Sequence, residues 1–151
     1  MFSQLLIGSI ITFVSLLGAS VVWWWMNEIL FMLEPALRAP YGRHKSALVF
    51  FLAVVSAMVI MGFGVSLWAV VFAQMSVFAS WEEAVYYSLV AYSTLGLGDV
   101  TLPQDQRLLG GMTGANGFLM FGLVTAMLTD SLRQIGRMQR TSNRMSDDQI
   151  T

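Results

Sequence analysis

Ser93-Thr94-Leu95-Gly96-Leu97-Gly98-Asp99 is the stretch on which the reading of this chain turns. L-residues in a regular strand alternate the direction of their carbonyls. Glycine reaches positive φ cheaply, so glycines at every second position let successive carbonyls point one way. Gly96 and Gly98 have that spacing. The residues before them, Ala84-Val85-Tyr86-Tyr87-Ser88-Leu89-Val90-Ala91-Tyr92, form an apolar stretch that reads as a helix too short to cross a membrane. Ser80-Trp81-Glu82-Glu83 carries the S-x-x-E capping-box pattern, in which Ser80 and Glu83 each satisfy a free backbone N–H at the helix start. A short helix running into a glycine-rich extended segment is the pattern of a re-entrant loop. Non-helical backbone at membrane depth is tolerated only where it is buried in protein or lines a water-filled path.

That depth is implied by the rest of the chain. Hydrophobic residues make up 56% of the 151 and charged residues 11%, against about 25% charged in a soluble domain. Such a chain cannot cover a soluble surface with charge. Three stretches, 1–27, 46–74 and 108–129, hold neither charge nor proline, and each meets the need for about 20 apolar residues in a spanning helix. There is no cysteine, hence no disulfide and no thiolate chemistry. The start, Met1-Phe2-Ser3-Gln4-Leu5, lacks a basic leader, so the first span is expected to stay in the mature protein.

The charges set the orientation. Arg38, Arg43 and Lys45 follow the first span, and Arg133, Arg137, Arg140 and Arg144 follow the third. Basic flanks mark the cytoplasmic side. The linker and tail are therefore expected inside, and the N-terminus and the acidic 75–107 loop outside. Trp23-Trp24-Trp25 reads as an interfacial belt. Ile29, Leu30, Leu33 and Leu37 recur at helical spacing and predict an amphipathic helix on the inner surface, kinked or ended at Pro35. The tail arginines share one helix face, which reads either as a solvated face or as a site for anionic lipid. His44, between Arg43 and Lys45, reads as a plain interfacial residue.

A dehydrated cation needs a shell of oxygens. The carbonyls of Thr94, Leu95, Gly96 and Leu97 would supply stacked rings of them, with the Thr94 hydroxyl innermost. One chain gives one carbonyl per ring, so closure demands several copies about an axis. The cation would be attracted by the negative C-terminal end of the short helix and by the net acidic outer loop.

The segment resembles the T-V-G-Y-G-D selectivity filter of potassium channels, in which backbone carbonyls replace the ion's hydration shell. Phe121-Gly122-Leu123-Val124-Thr125-Ala126 is similar to the inner-helix sequence of small two-helix bacterial potassium channels, at nearly the same distance from the filter. Tyr86-Tyr87 sits where those channels often carry paired aromatics. The resemblance covers about residues 46–132. It implies an all-α membrane protein with three transmembrane helices, a re-entrant pore helix and a selectivity-filter loop, assembled as a homotetramer in a bacterial inner membrane. Its parts would be an extra N-terminal span (1–27), a cytoplasmic linker (28–45), an outer helix (46–74), a pore helix (80–93), the filter (93–99), an inner helix (107–132) and a cytoplasmic tail (133–151). It further implies K+ held at Thr94, Leu95, Gly96 and Leu97, with Gly98 completing the filter and Ser93, Asp99, Tyr86 and Tyr87 supporting it. Gly117 falls at the hinge glycine, Phe118 and Thr125 at cavity-lining positions, and Thr129 near the cytoplasmic constriction. The expected partners are three identical subunits and membrane lipid, with no nucleic acid, no catalysis and no cofactor beyond the permeant ion.

Departures from the family pattern qualify the cation. Leu97 replaces a tyrosine or phenylalanine and so lacks the hydroxyl that braces the filter. Val90 replaces a glutamate that in some members partners the filter aspartate. These changes predict a less braced filter and leave a non-selective or sodium-permeable channel as the alternative. A non-conducting accessory subunit is a second. Gly96-Leu97-Gly98-Asp99 also spells the Gly-x-Gly-Asp motif of intramembrane aspartyl proteases, but that chemistry needs a second facing carboxylate, and no span here holds one. Among the remaining small and polar residues, Gly110, Gly111 and Gly114 read as helix-packing positions, and Asn116 faces either a cavity or a neighbouring helix.

Overall fold

The computed structural model describes residues 2–38 and 43–147, with the side chains of 30, 33–38, 43–46, 134–135 and 137–147 outside that description. Four helices follow in order: α1 (Phe2–Arg38), α2 (Arg43–Gln74), α3 (Trp81–Tyr92) and α4 (Arg107–Asp147), the last entered through a 3-10 turn at Gln104–Gln106. No strand occurs among the described residues. Three stretches, Phe2–Ile29, Ala47–Gln74 and Gln104–Arg133, are long and apolar enough to span a membrane. At 12 residues, α3 is too short to do so.

Two helices continue past the ends expected for them. α1 does not stop at Asn27 or at Pro35; it runs unbroken through Glu28 to Arg38. Methionine, leucine and glutamate between Met26 and Glu34 favour helix up to Pro35, and the helix passes Pro35 against that residue's own preference. The amphipathic segment from Ile29 is thus the end of α1, not a separate element. α4 likewise passes Leu132 and carries the tail as far as Asp147, because no proline follows the span. Arg133 is exposed on it. The side chains of Arg137, Arg140 and Arg144, like those of Arg43, His44 and Lys45, lie outside the described ones.

The chain divides into two compact units. One comprises Met1–Ser20 with Val59–Leu123. Its interior is built around α3, whose Ala84, Ser88, Val90 and Tyr92 are buried, with Trp68 and Phe72 of α2 and Leu109, Thr113 and Met120 of α4 also fully buried. Aromatic rings lock α3 to α2: Phe72 meets Tyr87 edge-on at 5.3 Å and Trp68 in a stack at 5.7 Å, and Phe78 lies 5.1 Å from Tyr87. The first half of α1 packs here by close approach. A Cβ on Gly8 would overlap the Met112 side chain, and one on Gly18 the Phe63 ring. Lipid is as apolar as these side chains, so association inside a membrane relies on such tight packing more than on the hydrophobic effect.

The other unit comprises Val21–Met58 with Val124–Thr151. Its core joins Met26, Val49 and Ala53, flanked by Trp23, Leu52 and Leu128. Trp24 and Trp25 stay exposed, edge to face at 6.3 Å, so only Trp23 of the tryptophan cluster contributes to packing.

α2 ends in a hydrogen-bonded reversal. Ser76 takes φ 52°, its N–H donates to the Ala73 carbonyl at 3.0 Å, and the Val77 N–H donates to Phe72 at 3.2 Å. This is the Schellman pattern, which glycine usually occupies at the left-handed position. A non-glycine residue there costs about 1 kcal/mol or more. Ser76→Gly is therefore expected to stabilise the protein by about 1 kcal/mol, read as a higher unfolding midpoint in detergent, and an unchanged or lower midpoint would count against this cap.

Candidate ion pathway

Everything at the candidate site is positioned by α3, and α3 is specified at both ends. At its start, Ser80 (φ −136°, ψ 157°) accepts from the Glu83 N–H at 3.1 Å. The Glu83 carboxylate in turn accepts from the Ala79 N–H at 3.2 Å, one residue earlier than the usual reciprocal bond. Glu82 and Glu83 also place negative charge in the first turn, where the helix dipole favours it.

At its end the helix reverses through a second Schellman cap. Thr94 lies in the left-handed region at φ 60°. Its N–H donates to Ala91 at 3.0 Å, and the Leu95 N–H reaches back to Val90 at 3.1 Å. The Gly96 N–H converges on the same Val90 carbonyl at 3.3 Å, as does the Ser93 hydroxyl at 3.2 Å. Ser93 also donates its N–H to Leu89 at 2.9 Å. The carbonyls at the end of α3 are thus largely occupied by the chain's own donors. Ser76 and Thr94 are the only non-glycine residues with positive φ among those described, and both sit at the corner of such a cap.

This cap sets the direction of the carbonyls that follow. Across a trans peptide the C=O points opposite to the N–H. The Leu95 and Gly96 N–H groups both point at Val90, so the Thr94 and Leu95 carbonyls point away from α3, on one side. Positive φ then recurs at Gly96 (59°) and Gly98 (76°). With Thr94 this makes positive φ at every second residue, the alternation that lets a run of carbonyls share a side. The glycine spacing announced two of the three positions. Thr94 could not be read from sequence, because a β-branched residue disfavours this region and adopts it here only through the cap.

Residues 94–99 are all exposed, Leu95 at 63% and Leu97 at 58%. Thr94, Gly96 and Gly98 border a cavity of about 430 Å³ that Tyr87, Leu102 and Arg107 also line. One subunit therefore leaves both the side chains and a flank of this segment open.

The paired tyrosines do different work. Tyr87 belongs to the aromatic packing, with its hydroxyl against Gly110. Tyr86 donates its hydroxyl to the Asp99 carboxylate at 2.5 Å. The bond holds the Asp99 carboxyl below the usual carboxylate range, with lesser help from the Asp99 and Val100 N–H groups against some desolvation. It raises the Tyr86 phenol in return. The hydroxyl absent at Leu97 and the carboxyl absent at Val90 predict a less braced segment; within the subunit, Tyr86 holds the aspartate at its end. The clue available was the aromatic pair itself, one member of which carries a hydroxyl thirteen residues before the aspartate. A carboxyl kept ionised by a donor is also the opposite of a protease aspartate sharing a proton.

On α4 the candidate positions separate. Phe118, Thr125 and Thr129 are exposed on one face, the Thr129 hydroxyl bonding back to the Thr125 carbonyl at 2.8 Å. Gly117 is buried, and a Cβ there would overlap the Tyr92 carbonyl. The structure thus gives Gly117 a packing role that its hinge assignment had not included. Gly110 and Gly114 also meet α3, through Tyr87 and Ala91, whereas Gly111 has open space in the subunit. Asn116 is buried, and neither polar atom of its side chain has a partner among the described residues, so it does not face an open cavity.

A family model described as an ion channel matches residues 58–134, just over half of the chain, from within α2 through α3 and into α4. The chain belongs to this family. It is the pore-domain family of the two-helix potassium channels, and this ion-channel chain is accordingly an all-α membrane protein. The match begins after α1, so the first span of the channel chain is not part of what the family defines. No curated protein and no solved structure matches the chain.

Two outcomes follow for the channel chain. The lowered Asp99 carboxyl contributes stability that is complete above the ordinary carboxylate range and is lost as pH falls through its lower folded value. In Tyr86→Phe this contribution is expected to be absent, so the variant unfolds more readily than the wild type at about pH 6 and the gap between their unfolding midpoints closes as pH falls through the carboxylate range; superimposable profiles would show that the bond does not matter. Gly117→Ala is expected to cost about 1–3 kcal/mol through overpacking against Tyr92, whereas Gly62→Ala, which meets open space in the subunit, is expected to be tolerated. Equal folded yields of the two in detergent would contradict the packing role.

Proposed function

We propose that four copies of this chain surround one axial pore and conduct K+ passively through rings of carbonyls from Thr94, Leu95, Gly96 and Leu97, with the Thr94 hydroxyl as the innermost ligand and Gly98 closing the outer end. The observation that carries this reading is the positive φ at every second residue, Thr94, Gly96 and Gly98, directly after a cap that turns the first two carbonyls away from α3. A chain in an ion-channel family has a use for such an array, since a bare cation must find its oxygens there. One subunit offers one oxygen per level, and its 94–99 segment is exposed. Both features support closure by identical neighbours about an axis.

In this assembly Phe118 and Thr125, exposed on α4, line the water-filled approach, and Thr129 narrows it near the cytoplasm. The N-terminus lies outside and the tail inside, as the basic flanks favour. The tail arginines, of which Arg133 is exposed, face anionic headgroups. The Tyr86–Asp99 bond favours a rigid outer mouth and so favours K+ over the less discriminating alternative that Leu97 suggests.

Recording of the purified protein in bilayers tests this directly. With K+ on one side and Na+ on the other, the reversal potential is expected to lie far from zero in the direction set by K+. A reversal near zero would leave a non-selective cation channel. No current from an intact tetramer would leave an accessory subunit. Leu97→Tyr, which adds the hydroxyl found in the family, is expected to change the permeability ratio little if Tyr86 already braces the mouth, and a large gain in K+ preference would show that the brace is insufficient.

A further inference from the structure

The family match leaves α1 without a role, yet α1 reaches the residue on which the 93–99 segment is mounted. That residue is Tyr92, the last of α3 and fully buried. Three other helices close on it. Its hydroxyl abuts α2 at Gly64, where a Cβ would overlap it. Its carbonyl abuts α4 at Gly117, where a Cβ would again overlap. The Ser15 hydroxyl of α1 lies 3.4 Å from the Tyr92 hydroxyl, in a fully buried site. At that length the contact is a weak hydrogen bond. Other hydroxyls in these helices, such as Thr12, Ser20, Ser56 and Ser66, bond back to a carbonyl one turn earlier. Ser15 reaches across to another helix.

Tyr92 thus has little freedom to shift. Either glycine gives room for one end of the residue and no more, and the Ser15 hydroxyl meets the one polar atom of its side chain. The next two residues, Ser93 and Thr94, form the cap that directs the first carbonyls. Any displacement of Tyr92 is carried into that cap through two covalent links. A tyrosine at this point is therefore a lever from α1 to the innermost level of the segment.

We infer that Tyr92, held by Ser15 of the N-terminal span, is a positioning residue that sets the geometry of the innermost carbonyl ring, so that α1 acts on cation selectivity through this one contact. The inference rests on the proposed conduction through that ring. Tyr92 touches no ion; it acts through Thr94. Removing its hydroxyl leaves the ring in place but removes both its contact with Ser15 and its abutment on Gly64, whereas Ser15→Ala removes the contact with α1 alone. Selectivity then changes because ring dimensions and flexibility decide which cation is dehydrated at least cost.

The test is bi-ionic recording of the full-length wild type, Tyr92→Phe, Ser15→Ala and the double variant, each first checked for the tetramer in detergent. Tyr92→Phe and Ser15→Ala are each expected to lower the K+/Na+ permeability ratio by about three- to fivefold. The double variant is expected to show no loss beyond that of Tyr92→Phe, which already removes the Ser15 contact. Ser15→Thr, which keeps a hydroxyl, is expected to retain the ratio. A residue that only stabilises the fold would lower tetramer yield without moving the ratio. Unchanged ratios in both single variants, or additive losses in the double, would overturn the inference while leaving conduction intact. If Tyr92→Phe fails to assemble, the comparison of Ser15→Ala with Ser15→Thr decides alone. A wild type that carries no current removes the proposed function itself, and this inference with it.

Discussion

One carbonyl, that of Val90, organises the candidate site. Three donors converge on it: the Leu95 N–H, the Gly96 N–H and the Ser93 hydroxyl. A carbonyl has two lone pairs, so these donors crowd one side of the chain and hold α3 to the extended segment that follows. Since peptides are planar and trans, two N–H groups drawn to one point send two carbonyls the other way. The cost is paid at Thr94, a β-branched residue at φ 60°, which the surrounding hydrogen bonds keep in place. The direction of the oxygens thus follows from how a short helix ends.

That ending in turn depends on close packing. Tyr92 can sit where it does only because Gly64 and Gly117 carry no side chain. The same device recurs where α1 meets Met112 and Phe63 at Gly8 and Gly18. A chain this apolar gains little in lipid from hiding one more leucine, and helices that approach to backbone contact gain dispersion and rigidity instead. Glycine at such positions is a packing residue first. Gly117 illustrates how a hinge and a contact surface compete as readings of one residue, and its contact with the Tyr92 carbonyl is the part that geometry supplies.

The far end of the segment is secured by different chemistry. Asp99 is exposed but bonded to Tyr86, a residue on the same short helix that carries the Val90 cap. The 93–99 segment is therefore tied to α3 at both ends, through a carbonyl at one and a phenol at the other. Position 97 lacks a hydroxyl and position 90 a carboxyl, while Tyr86, one turn before position 90 on the same helix face, supplies a donor to Asp99. A substitution pattern read position by position does not show such a bond, because it joins residues thirteen apart.

Much of this protein is legible in its sequence. Charge-free stretches of sufficient length defined three spans, since hydrocarbon admits few charges and needs about 20 residues of helix. The S-x-x-E pattern defined the start of α3, because a cap is local chemistry within four residues. Alternating glycines announced the conformation at positions 96 and 98. What sequence could not reveal was everything that joins residues distant along the chain: Tyr86 to Asp99, Gly117 to Tyr92, and Ser15 to Tyr92. It also could not reveal the left-handed Thr94, whose own preference opposes that conformation. Local propensity and composition are properties of a segment and can be read along it. Which hydroxyl meets which carboxylate, and which residue is forced against its preference, is decided only when helices pack in three dimensions.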